Sequence, residues 1–222
     1  KLDEAGIVSW QDFYAALNPD DYDYAFLKNL PERDGRMEGY LFPATYEIPN
    51  GMSAHDIIDL MLAAFDNQFK PEYYERATEL GLTVDEVITM ASIVERETDS
   101  GTERAKVAGV FYNRIKDGWV LGSDVTTYYF LKIDDFKQSL NGNKDLYTCD
   151  YAYNTRCTSF VGLPVGPISN PGKESIDATI NYSKHNYYYF VADCSGKTYL
   201  SKNATEHYNT IQKLKNENNW CV

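Results

Sequence analysis

The chain has 222 residues, enough to bury a sizeable hydrophobic core in one large domain or two small ones. Hydrophobic residues make up 43% and charged residues 24%, as in an ordinary soluble globular protein. The formal net charge is −12, which argues against a nucleic-acid binder and against electrostatic docking on anionic lipid.

Helix signals dominate the first half of the sequence. Capping residues, apolar stripes and closing glycines predict helices over 9–17, 24–30, 54–69, 71–80, 83–98 and 102–117. Between them, residues 38–51 are aromatic and partly β-branched, but Pro43 and Pro49 interrupt the run. Because proline removes a ladder hydrogen bond, we expect an extended segment there rather than a central strand.

The helix over 83–98 has the most informative pattern. Thr83 and Glu86 have the spacing of a capping box, which marks its start. Apolar residues then recur three or four positions apart, and Ala91 belongs to this stripe. Glu95 follows Ala91 by four positions, so its carboxyl is predicted on or beside the buried stripe. Glu97 is predicted to point elsewhere.

An acid placed there has two interpretations. Burial and the helix C-terminus both favour the neutral form, which a general acid needs. Alternatively, Glu95 is solvated or pairs with a nearby cation such as Arg96 or Arg104. Glu97 and Asp99 extend the pattern to E-x-E-x-D, but residues two apart do not share a helix face, so a metal site is not predicted. Glu97 is expected to pair with Arg104 or a lysine, or to cap the following turn.

The second half of the sequence carries the strand signals. Its predicted elements are a strand or extended loop over 119–130, an irregular polar segment over 136–156, an ordered proline-rich loop over 162–172, a helix over 173–183, a hairpin of strands over 187–192 and 198–200, and a final helix from Asn203 to Leu214. Helices followed by β-structure predict an α+β fold. In it, the helical segment with Glu95 packs against a smaller β-rich part with a late hairpin and C-terminal helix.

The 4 cysteines all lie in the C-terminal third, without a CxxC pair, and the 3 histidines are scattered. This spacing favours disulfides over a zinc site, and three connectivities are possible. Pairing Cys149 with Cys157 and Cys194 with Cys221 is preferred, because it keeps the first loop short and ties down the C-terminus. No cofactor is predicted.

Several segments read together resemble a known family. In order along the chain they are YLFPATYEI, ASIVERET, VAGVFYNRI, GSDVTTYY, YNTR, GLPVGPISNPG and YYYFVAD, followed by the late helix. Over about 38–214 they resemble the endolytic murein transglycosylases, the MltG or YceG-like family. The resemblance implies a catalytic domain over 38–222. It implies that 1–37 is a remnant or linker from an N-terminal LysM-like subdomain, most of which is absent here. It further implies a bacterial protein anchored in the membrane upstream of Lys1, with its catalytic domain on the extracytoplasmic side.

The resemblance also implies a reaction. The family cuts the β-1,4 bond between MurNAc and GlcNAc inside peptidoglycan strands and leaves a 1,6-anhydroMurNAc end. The first Glu of its ASIVE-x-E-T motif falls on Glu95. Since the muramic acid's own C6 hydroxyl is the nucleophile, one carboxyl suffices as acid and then as base. The implied partners are peptidoglycan glycan strands and peptidoglycan synthases.

Other candidates for substrate contact follow the family motifs. Asp124 and Thr126 would bind sugar hydroxyls or satisfy backbone groups, and Glu97 is a further candidate. Tyr153 and Asn154 match the Y-N-T motif, and an asparagine amide complements an acetamido group. Two alternative functions stay open: a non-catalytic peptidoglycan-binding or recruitment module, and a muramidase-type hydrolase with a water-activating carboxylate such as Asp124.

Overall fold

The computed structural model describes residues 1–98, 101–133, 149 and 152–221. Its helices are α1 Trp10–Ala15, α2 Ala54–Gln68, α3 Pro71–Leu80, α4 Val84–Glu97, α5 Gly101–Lys116, α6 Asp124–Leu131, α7 Lys173–Ile180 and α8 Ala204–Asn216. Strands β1 Tyr189–Ala192 and β2 Thr198–Ser201 form an antiparallel hairpin, in which Tyr189 lies opposite Ser201 and Ala192 opposite Thr198. The predicted α+β fold is confirmed.

Helix starts follow the capping residues in the sequence. A side-chain oxygen accepts a backbone N–H three residues on at Ser9, Ser53, Thr83 and Asn203. At Thr83 the full capping box forms, because the Glu86 carboxylate also accepts the backbone N–H of Thr83 at 2.8 Å. Gly81 ends α3 in the left-handed conformation, with φ of 71°.

Helix α4 is shared between two hydrophobic cores. It contributes Val87, Ile88 and Ala91 to a core that contains α2, α3 and part of α7. It contributes Met90, Ile93 and Val94 to a second core with α5 and α6. Residues before the expected domain boundary at 37/38 also pack into the first core, namely Tyr22, Phe26, Leu27, Leu30 and Met37. Helix α4 is therefore buried on most of its surface and fixes the position of its final turn.

The prediction of an extended segment over 119–130 is wrong in its second half, where α6 runs from Asp124 to Leu131. Val125, Thr126 and Thr127 have β-branched side chains that favour strands, but burial against α4 overrides this preference. The helix predicted over 24–30 is a single 3-10 turn, Ala25–Leu27. Within the described residues, the expected β-rich part consists of the β1–β2 hairpin alone.

Disulfides join Cys149 to Cys157 and Cys194 to Cys221, which is the pairing preferred on loop length. The second ties the β1–β2 turn to the tail after α8. Most of the predicted polar segment 136–156 lies outside the described residues. Among the helices that the structure describes, none has the length and apolar character to cross a bilayer.

Candidate functional site

Glu95 lies in the last turn of α4, facing the start of α7. One carboxylate oxygen, Oε2, accepts the backbone N–H of Gly172 at 3.1 Å, and Gly172 is the N-cap residue of α7. The other, Oε1, accepts a hydrogen bond from Arg104 Nη2 at 3.2 Å. The side chain is 28% exposed, so both contacts stand at a surface that a ligand can reach.

These contacts change the electrostatic expectation for Glu95. The Arg104 guanidinium and the positive end of α7 both stabilise a carboxylate, and a backbone N–H bond does the same. The side chain is partly exposed and ion-paired, so Glu95 does not lie in the desolvated setting expected from the sequence. The alternative interpretation, an ion pair with Arg104, is the one observed.

Arg104 is itself held by three acceptors. Besides Glu95, its Nη1 donates to Glu174 Oε2 at 2.7 Å and its Nε donates to the Thr98 carbonyl oxygen at 3.2 Å. The residue is 8% exposed, whereas the Glu174 side chain is 72% exposed. A buried guanidinium thus joins the ends of α4, α5 and α7.

The proline-rich loop 162–172 brings Gly172 to this position by lying along α4. The backbone N–H of Ile168 donates to Ser92 Oγ at 3.0 Å, and Ser169 Oγ donates to the Ser92 carbonyl oxygen at 3.2 Å. Ser92 is fully buried, one turn before Glu95. A small hydroxyl residue in the buried stripe therefore anchors the loop that presents its N–H to the acid.

A second anchor holds the same loop against the segment 38–51. Asn170 Oδ1 accepts the backbone N–H of Gly39 at 2.9 Å and that of Leu41 at 3.2 Å. Gly39 has a φ of 96°, and a Cβ there would lie 2.6 Å from a side-chain carbon of Pro167. Glycine is needed at this crossing because any side chain would collide with the loop.

Glu97 has a different environment. The expected bond to Arg104 is not formed. Glu97 Oε1 accepts a 2.5 Å hydrogen bond from Ser123 Oγ, so the Ser123 hydroxyl does not cap α6. Burial raises the pKa of Glu97 to about 7, against the opposing effects of the Ser123 bond, Arg114 and Arg156. Next to it, a cavity of about 550 Å³ is bounded by Arg96 and by the turn of the β1–β2 hairpin.

The remaining candidates separate into two groups. Asp124 pairs with Arg156 at the surface, beside Ser123 and Glu97. Thr126 and Asn154 instead point inward: the Thr126 hydroxyl donates to the Ser123 carbonyl oxygen at 2.9 Å. Asn154 is 1% exposed, and its Oδ1 accepts the backbone N–H of Arg156 at 3.0 Å. These two placements favour a structural role over direct contact with a sugar.

Tyr153 is not brought to the same place as Glu95. Its ring packs on Tyr129 at 4.9 Å between centroids, in the neighbourhood of Arg33 and Glu38. Arg33 is bonded to Asp85 in the first turn of α4, at the opposite end of that helix from Glu95.

Sequence reasoning did not find Glu174, Gly172 or Ser123 as parts of the site. Glu174 contacts an arginine 70 positions earlier, and Ser123 contacts an acid 26 positions earlier. Local spacing carries no signal for such pairs. The available hint was an acid in the first turn of a predicted helix, where the positive end of the helix dipole favours a negative charge.

The chain is similar to known proteins of one family. The model of the YceG-like family matches residues 5–213. An endolytic murein transglycosylase from Streptococcus pneumoniae serotype 2 (strain D39 / NCTC 7466) is 38% identical over 192 residues, covering 82% of this chain and 33% of that protein. The protein with the same description from Bacillus subtilis (strain 168) is 34% identical over 183 residues, covering 80% of this chain and 48% of that protein.

A crystal structure of a yceG-like protein from Listeria monocytogenes superposes with a TM-score of 0.71 at 32% identity. The match covers 92% of this chain and 65% of that one. The chain thus spans about a third of the length of the S. pneumoniae relative and about half that of the B. subtilis relative. The chain belongs to the YceG-like family.

Proposed function

We propose that this chain contains the catalytic region of a lytic transglycosylase that cleaves the β-1,4 MurNAc–GlcNAc bond inside peptidoglycan strands. Glu95 is its single general acid and base. One observation carries the proposal: Glu95 lies in the family's ASIVE-x-E-T motif, and its carboxylate is held at an accessible surface by Arg104 and the Gly172 N–H. The relatives described as endolytic murein transglycosylases support the same reaction class.

In the proposed mechanism Glu95 acts twice. As a carboxylic acid it gives its proton to the glycosidic oxygen, and the bond between that oxygen and the muramic acid C1 breaks. The C6 hydroxyl oxygen then bonds to C1, and its proton passes to the Glu95 carboxylate, which restores the acid. No water is consumed. The Arg104 and Gly172 contacts favour the carboxylate needed in the second step.

Replacement of the acid tests this mechanism. We expect Glu95→Gln to lower the rate of strand cleavage by at least about 10²-fold, the usual contribution of a positioned general acid. The matched control is Glu75→Gln, an exposed acid of α3, which should retain the wild-type rate. Full activity of Glu95→Gln, with an unchanged circular dichroism spectrum, would refute the role of this residue.

A hydrolase is the alternative function, because a second carboxylate, Asp124, lies at the surface beside Glu97. The Asp124 carboxylate is already engaged by Arg156, which favours the transglycosylase over a hydrolase that uses Asp124. A muramidase would leave reducing ends and would require Asp124, whereas a binding module would leave the strands uncut. Chain-end analysis by mass spectrometry separates the three functions.

We also propose, from family membership, that the whole protein is anchored in the bacterial cell membrane and works on the extracytoplasmic side. The disulfides Cys149–Cys157 and Cys194–Cys221 support an oxidising location. Association with peptidoglycan synthases is a further expectation of this kind. Cell fractionation tests the location, and crosslinking in intact cells tests the association.

A further inference from the structure

Arg104 lies between two acids and donates a hydrogen bond to each. Its Nη1 is 2.7 Å from Glu174 Oε2, and its Nη2 is 3.2 Å from Glu95 Oε1. The shorter and better bond therefore goes to Glu174, which the mechanism does not use. The bond from Nε to the Thr98 carbonyl oxygen keeps the guanidinium from turning wholly toward either acid.

Glu174 reaches Arg104 from the start of α7, across from the start of α5. Glu174 is in the first turn of α7, two residues after the Gly172 N–H that binds Glu95. Opposite it, α5 begins with Gly101, and a Cβ there would lie 2.9 Å from Glu174 Oε2. The carboxylate of Glu174 therefore lies close against the first residue of α5.

We propose that Glu174 is a positioning residue that, by sharing Arg104, weakens the ion pair with Glu95 and so allows Glu95 to take up the proton it donates. This inference rests on the proposed function of Glu95. A carboxylate fully paired with arginine is a poor proton donor, since the cation favours the charged form. A second acid on the same cation reduces that effect, and its own negative charge also favours protonation of its neighbour.

Two other acids near Glu95 have partners elsewhere, Arg96 has an interaction of its own, and Lys173 of α7 is exposed. On α5, Glu103 is bonded to Lys106 and to the backbone N–H of Thr198. On α4, Glu97 is bonded to Ser123. Among the described residues, the side-chain charges bonded into the Glu95 ion pair are thus those of Arg104 from α5 and, through it, Glu174 from α7. Removal of Glu174 leaves Arg104 bonded to Glu95 and to the Thr98 carbonyl oxygen.

The test is the pH dependence of cleavage in the Glu174→Gln variant of the full-length enzyme. Without the Glu174 charge, Arg104 pairs with Glu95 alone. The Glu95 carboxylate is then favoured, and Glu95 loses its proton at a lower pH. We expect the alkaline limb of the kcat profile to move to lower pH by about half a unit. The shift is modest because the Glu174 side chain is largely exposed. On that limb kcat should fall about threefold, while it is retained on the acid side.

Controls separate this effect from a structural one. Glu72→Gln removes an exposed first-turn acid from α3 that is not bonded to Arg104, and it should leave the profile unchanged. Glu174→Asp keeps the charge, so its profile should lie closer to the wild-type profile than that of Glu174→Gln. A Glu174→Gln profile that superposes on the wild-type profile would overturn the proposal, as would a uniform loss of kcat at every pH.

A measurement independent of activity keeps the two proposals distinct. Carbon NMR titration of the Glu95 side-chain carboxyl, on this chain and its Glu174→Gln variant, should show a lower midpoint in the variant. If Glu95→Gln is fully active, the proposed function fails, but the titration still decides whether Glu174 acts on Glu95. Equal midpoints would exclude that action even in an active enzyme.

Discussion

At the residue scale, two acids only two positions apart have opposite environments. Glu95 accepts hydrogen bonds from Arg104 and from the Gly172 N–H. Glu97 receives a single hydroxyl bond from Ser123 in a setting where burial raises its pKa to about 7. The difference arises because the helix directs one side chain toward α5 and α7 and the other toward α6. Two carboxyls of one motif therefore have different bonding partners and different burial.

The raised pKa of Glu97 predicts how stability depends on pH. The folded chain binds this proton more tightly than the unfolded chain between the ordinary value of 4.5 and about 7. The resulting stability is complete below the ordinary value and is lost as the pH rises through about 7. The loss amounts to at most about 3 kcal/mol.

Glu97→Gln removes this titration while keeping an acceptor for the Ser123 hydroxyl. We expect the wild-type chain to lose more stability than the variant between about pH 5 and about pH 8, as measured by urea unfolding at each pH. The same slope in both proteins would show that Glu97 is already ionised at the lower pH.

At the element scale, the site depends on a loop held against a helix. Ser92 in α4 binds Ile168 and Ser169, and this contact brings Gly172 to Glu95. The sequence predicted α4, its cap and its buried stripe correctly, because helix period and capping are local properties. It could not predict what the loop touches, since the partners are 76 and 77 positions apart.

Two substitutions at opposite ends of α4 distinguish the loop contact from helix stability in general. Ser92→Ala leaves the buried Ile168 N–H without its acceptor, so we expect a loss of about 1–3 kcal/mol and a clear drop in kcat. Thr83→Ala removes the cap and should cost about 1 kcal/mol with little change in kcat. Urea unfolding and strand-cleavage kinetics measure the two effects.

Equal activity losses in the two variants would mean that the loop contact has no special part in holding the site. An unchanged kcat in Ser92→Ala, together with the stability loss, would show that Gly172 reaches Glu95 without this anchor.

At the scale of the whole molecule, the sequence predicted the α+β class, most helices and the family. It predicted only some of the residues that meet at the site. Glu95 was identified by its position on α4 and by the family motif. Its ionic environment was not, because Arg104 and Glu174 meet it through tertiary packing. Helix α6 was missed for a related reason: burial overrides the strand preference of its β-branched residues.

The central claim is that Glu95 drives an intramolecular cleavage in which no water takes part. The most direct test is digestion of purified glycan strands by the full-length protein in water labelled with heavy oxygen, followed by mass spectrometry of the new chain ends. We predict 1,6-anhydroMurNAc ends without the label, and no new ends with Glu95→Gln. Reducing ends that carry one labelled oxygen per cut would contradict the account.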